Sequence, residues 1–149
     1  MVKIILIISF CISMTSSILF AATPLPVQLM DEIRISSSVK VSATIQTIEF
    51  SKITPAIIAG RWGADDSPKM QPPKRLIRVF QIRHGEEIII LPASSFSDLC
   101  DIRSLKIKKI DKGFEVTIKG GDAGSSYTAI LSFVDKKIVK RRVFASEPP

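Results

Sequence analysis

The sequence predicts a mostly β protein: a single small antiparallel meander forming a sandwich or open barrel, with at most one short helix. Three observations carry this expectation. From residue 39 onward, apolar and polar residues alternate with a period of two in segment after segment. Short turn sequences separate these segments, among them His84-Gly85, Asp111-Lys112-Gly113 and Asp135-Lys136-Lys137. No segment sustains an apolar period of 3.6 residues, so nothing supplies the crossover helix that a parallel sheet requires.

Residues 1–21 read as a secretory signal peptide. Met1-Val2-Lys3 is a short basic start, residues 4–20 are apolar and uncharged, and Ala21 is a small residue suited to cleavage. Ser9, Ser13, Thr15, Ser16 and Ser17 interrupt the run, which argues against a retained anchor, since spanning takes roughly 20 predominantly apolar residues. Cys11 follows the bulky Phe10 inside the run, which argues against a lipoprotein signal. The expected product starts at Ala22, has no membrane span, and is exported to a periplasmic or extracellular location. Of the 21 basic residues one, Lys3, leaves with the leader, so 20 remain against 14 acidic residues. Cys100 is then the sole cysteine, which excludes an intramolecular disulfide and favours a buried thiol. The chain has no asparagine and hence no N-glycosylation acceptor.

The elements follow in order. Residues 22–33 form an extended leader, because Pro24 and Pro26 push their predecessors out of helix. The β-rich domain covers residues 34–146. Its first strand starts near Val39, where Val39, Val41, Ala43 and Ile45 alternate with polar residues. Ile48 and Phe50 continue the pattern out of phase, so a bulge is expected near Gln46-Thr47. Residues 51–73 are punctuated by six prolines and glycines, Pro55, Gly60, Gly63, Pro68, Pro72 and Pro73, and carry the only tryptophan, Trp62, beside Arg61. This stretch is either a long functional loop or hides a short strand at 56–59. Strands are predicted at 75–83, 87–91, 104–110, 114–119, 127–134 and 138–144. Between the second and third of these, Phe96, Leu99 and Cys100 lie at i, i+3 and i+4, the spacing of one helical turn.

Arg83-His84-Gly85 resembles the opening motif of the histidine phosphatase and phosphoglycerate mutase superfamily over fewer than ten residues. That resemblance implies a nucleophilic histidine, an arginine on the phosphoryl oxygens, and a second histidine completing the pocket. This chain has one histidine in total, so the second role has no occupant. A two-residue hairpin turn accounts for the same letters, with glycine accepting positive φ. It is read as a turn.

The glycine-rich residues 120–126 lack the lysine position and following helix of a nucleotide-binding loop, which leaves a hairpin loop with Asp122 as a minor contact candidate. No cofactor and no metal is implied: one histidine and one cysteine do not build a zinc site, and no run has calcium-loop spacing. No catalytic residue is identified, since a serine or cysteine nucleophile has only His84 as an imidazole base. The remaining signal is distributed charge. Lys106, Lys108, Lys119, Lys140 and Arg142 fall on the polar phase of their strands and are candidates for one basic outer face. The expected function is therefore non-enzymatic binding of a protein partner or an anionic envelope component, and not of nucleic acid, for which aromatic stacking residues are scarce. The alternative is a small secreted hydrolase or an enzyme inhibitor working through residues 51–73, with Arg61 and Trp62 as its contacts.

Overall fold

The computed structural model describes residues 27–50, 73–121 and 126–145. Among them run strands β1 (Gln28–Arg34), β2 (Lys40–Glu49), β3 (Arg75–His84), β4 (Glu87–Ile90), β5 (Ile102–Ile110), β6 (Gly113–Gly120), β7 (Tyr127–Val134) and β8 (Lys137–Ala145). They form two four-stranded antiparallel sheets, β1-β2-β3-β4 and β5-β6-β7-β8, each a meander. The architecture is the expected mostly β one, open and not closed into a barrel. Ala93–Ser95 makes a single turn of 3₁₀ helix; Phe96, Leu99 and Cys100 follow it and are buried, but not on one side of a helical turn, since Phe96 and Leu99 join the main core and Cys100 a second cluster.

Alternation sets the core. Val41, Ala43 and Ile45 of β2 and Phe80 and Ile82 of β3 face Leu105, Ile107, Val116, Ile118, Leu131 and Phe133 of the second sheet. Phe114 and Phe133 stack with ring centroids 4.7 Å apart, closing one end of this core.

Four further features differ from the sequence expectation, each for a physical reason. First, the stretch expected as leader already contains β1, whose Leu29 and Ile33 pack on the core. Asp31 lies between them on the same phase and so masks the alternation. Its Oδ2 accepts the Ile107 N–H at 2.8 Å, so a carboxylate satisfies the exposed edge of β5 where β1 comes alongside.

Second, the register does shift between Gln46 and Thr47, but the extra residue is Arg78, on the partner strand β3. Ile48 and Phe50 are out of phase because they serve a second cluster with Leu76 and Cys100. Ile77, one residue on from Leu76, belongs to the main core, so β2 and β3 bury side chains on both faces at this end.

Third, the β3–β4 turn is displaced by one residue. His84 pairs with Glu87, leaving Gly85 and Glu86 as the turn. Only Gly85 has positive φ, 60°, which is the type II′ arrangement and not the expected type I′ one at His84-Gly85. The type I′ turn is elsewhere, at Asp135 (φ 47°) and Lys136 (φ 65°) between β7 and β8.

Fourth, Lys137 and Ala145 extend the last strand at both ends, and Val139 is a bulge within it, between partners Ser132↔Lys140 and Phe133↔Ile138.

Polar side chains tie the two sheets together at their open side. Lys136 on the β7–β8 turn pairs with Glu87 at the start of β4. Lys136 thereby holds the Glu87 carboxyl below its usual range, by hydrogen bond first and by charge second. Arg141 of β8 turns inward, pairs with Asp98, and donates to the Ser95 carbonyl at 3.0 Å. At the other end Asp101, at φ 48°, accepts the Lys74 and Arg75 N–H groups at 3.0 and 2.8 Å.

Candidate functional site

The antiparallel ladder decides which side chains share a face, because directly opposed residues project together. On the outer side of the second sheet the register gives three rows. Lys106 lies beside Thr117, then Ile130, then Arg142. Lys108 lies beside Glu115, then Ser132, then Lys140. Ser104 lies beside Lys119, then Thr128, then Phe144. All five sequence-predicted basic residues of the meander therefore fall on one face, and all five are exposed.

The arrangement is not a single stripe. Lys106 and Lys108 stand on β5, one edge of the sheet, and Lys140 and Arg142 on β8, the other edge. Three inter-strand spacings separate these edges, roughly 14 Å. Between the two basic rails is a floor of Thr117, Thr128, Ile130 and Ser132. Thr128 and Ser132 are each only 7% exposed, because longer neighbours on both sides shield the small side chains of a central strand. Lys119 stands on β6 at one end of the floor.

A sixth basic residue joins them. Unbroken alternation would put Lys137 and Lys140 on opposite faces, since three residues separate them. The bulge at Val139 absorbs one residue, so Lys137, opposite Val134, returns to the face that carries Lys140, opposite Ser132. The bulge was legible only from pairing, so Lys137 escaped sequence reasoning. Phe144, 46% exposed at the end of its row, and Val139, 59% exposed at the bulge, add apolar surface.

Glu115 is the one acidic residue in these rows. Its carboxylate accepts the Ser132 hydroxyl at 2.8 Å and stands opposite Lys108. Neighbouring basic groups along a strand are about 7 Å apart, inside a screening length of about 10 Å at 0.1 M salt. Their fields therefore add, and the face attracts anions as a unit.

Arg61, Trp62 and Asp122, with the rest of the 51–72 stretch, lie outside the described residues. His84 points inward against Phe114, ring centroids 6.5 Å apart, on the inner side of the first sheet. Its role there is packing at the mouth of the sandwich. A cleft of about 670 Å³ opens beside Phe50, Lys74, Arg75, Ile102 and Arg103, where Asp101 caps the incoming chain. Among the described residues no group of three or more His, Cys, Asp or Glu side chains converges on a point where a metal ion could sit.

Comparison with protein-family models, with curated proteins and with solved structures finds no match for this chain.

Proposed function

We propose that this protein is a small exported β-domain that works by binding and not by turnover, its basic sheet face lying against an anionic component of the cell envelope. The observation that supports this is the outer face of the second sheet, where six exposed basic side chains share one surface with a single acid. Two rails roughly 14 Å apart suit a phosphate-bearing surface, such as anionic lipid or lipopolysaccharide headgroups, better than one narrow chain. A chain following one rail leaves the other unsatisfied. Phe144 and Val139 supply exposed apolar contacts beside the charges, as interfacial proteins use them. The basic start, the uncharged apolar run and Ala21 support export.

Two experiments test this. Intact-mass analysis of protein recovered from envelope or medium is expected to give an N-terminus at or near Ala22, and full-length chain in the cytosol would contradict export. Vesicle co-sedimentation is expected to show binding to phosphatidylglycerol or lipopolysaccharide vesicles but not to phosphatidylcholine. Binding should fall steeply with salt. A basic residue near an anionic surface contributes about 1 kcal/mol, so Lys106→Glu with Lys108→Glu should weaken binding by ~30-fold or more. The melting temperature should hardly move, because exposed strand charges contribute little to stability. Salt-independent binding, or an unaffected double variant, would sink the proposal. Retention of an acidic protein by the same face, with no vesicle binding, would replace the envelope surface by a protein partner.

A further inference from the structure

The outer face of the first sheet is as unlike the basic face as the fold allows. Its rows run Gln28, Gln46, Val79; then Met30, Thr44, Gln81, Ile90; then Glu32, Ser42, Arg83, Ile88. The first two rows carry no charge at all. Ile90 is 71% exposed, Met30 61% and Ile88 47%, three large apolar side chains on one side of one sheet. Lone exposed apolar residues are ordinary, but a charge-poor cluster centred on Met and Ile has the composition of an interface core. Charge stands toward one end, where Lys40 pairs with Glu32 at 2.7 Å, and at the other end in the exposed bulge residue Arg78 beside Val79.

We infer that this face is the contact surface of a homodimer with twofold symmetry. The reason for a second copy, rather than some other partner, is the order of residues across the sheet. The second row reads apolar, polar, polar, apolar, from Met30 on β1 to Ile90 on β4. A twofold axis along the strands, between β2 and β3, sets β1 of one copy on β4 of the other and β2 on β3. Met30 then meets Ile90 of the second copy, a contact occurring twice, with Gln81 and the nearly buried Thr44, 6% exposed, as the floor between them. In the next row the same operation carries Glu32 to the Ile88 position, one strand from Arg83 of the second copy, so opposite charges also meet twice. The Met30–Ile90 row is its own complement under this operation, which is what an isologous contact requires.

Charge elsewhere favours the same choice. The full chain carries a net +7, so two copies repel through most orientations, whereas this one keeps both basic faces outward and farthest apart. Four strands and about as many rows give a flat patch of roughly 20 by 20 Å on each copy. The total of about 800 Å² lies below the usual range of stable interfaces and in that of weak, transient ones, so the dimer is expected to be in measurable exchange with monomer. The two outward basic faces would make it bivalent.

Sedimentation velocity on the whole exported chain, over a wide concentration range, tests the inference. A reversible monomer–dimer equilibrium is expected. Ile90→Lys and, separately, Met30→Lys should each raise the dissociation constant by about tenfold or more with unchanged far-UV circular dichroism. Glu32→Arg and Arg83→Glu should each weaken the dimer, and the two together should restore it, which tests the pairing across the axis. The Lys106→Glu, Lys108→Glu variant should dimerise like the parent, so a failure of envelope binding and a failure of dimerisation are read separately. A chain monomeric at every concentration overturns the inference, as does a dimer indifferent to both lysine substitutions. A monomer whose vesicle binding is lost with Ile90→Lys would assign the face to membrane and overturn it too.

Discussion

Replacing Tyr127 by phenylalanine removes a single oxygen atom from the centre of the fold. The ring is fully buried, and its hydroxyl accepts the Cys100 N–H at 2.9 Å while donating to the Cys100 carbonyl at 2.8 Å. One side chain of the second sheet thus holds the segment that crosses from the first. Gly120, opposite Tyr127 on β6, leaves the hydroxyl its room: a Cβ there would lie 2.5 Å from it. Removing a hydrogen-bond partner from a buried backbone group costs about 1–3 kcal/mol, and two such groups share this hydroxyl. Tyr127→Phe is therefore expected to lose roughly 2–4 kcal/mol, with little cavity cost because no carbon is removed. Urea unfolding should show a lower midpoint at an unchanged slope. The phenol also makes a pH prediction. Burial first, and the negative groups nearby second, push its pKa well above the ordinary 10.0. The unfolded chain then releases a proton near pH 10 that the native chain keeps. The stabilisation is complete below that pH and declines above it by up to about 1.4 kcal/mol per pH unit. The stability gap between parent and Tyr127→Phe should accordingly narrow above pH 10. Tyr127 is the only tyrosine in the chain, so near-ultraviolet absorbance of the phenolate reads it alone. Ionisation near the ordinary pKa while circular dichroism stays native, or a stability loss below about 0.5 kcal/mol, would refute the reasoning.

Three further outcomes are expected. Gly85→Val should destabilise by about 1–2 kcal/mol through left-handed strain alone, since φ is 60° and the space around a Cβ is open; His84→Ala should cost less, and phosphate-ester hydrolysis by the purified protein would overturn the assignment of this stretch to a turn. Gly113→Ala should cost at least about 1–3 kcal/mol, because its Cβ would fall 1.9 Å from the Phe133 carbonyl oxygen, and thermal melts would detect it. Asp31→Ala should lose about 1–3 kcal/mol by removing the acceptor of the Ile107 N–H; amide exchange at Ile107 should speed up, and an unchanged rate would show that Asp31 does not hold this edge.

The sequence by itself determined the class of fold and most of its strands. Alternation with a period of two is written locally, and it separated Leu105 and Ile107 from Lys106 and Lys108 without any knowledge of pairing. The basic phase of β6 and β8 was legible for the same reason, whereas the i, i+3, i+4 spacing of Phe96, Leu99 and Cys100 misled, since the 3₁₀ turn ends at Ser95 and Cys100 joins a different cluster. What local pattern could not contain was anything set by a partner strand. β1 was hidden because Asp31 occupies an inward position, which is tenable only where the Ile107 N–H meets it. The second cluster around Leu76 and Cys100 looked like a slip in β2, because the segment it packs against lies some fifty residues on. Lys137 read as part of the turn, and only the pairing, with its bulge at Val139, sets it on the basic face. The division of that face into two rails, and the palindromic order of Met30, Thr44, Gln81 and Ile90, exist only across strands. Sequence fixes the phase of each strand, but register joins strands, and register is settled by burial and backbone pairing over the whole sheet.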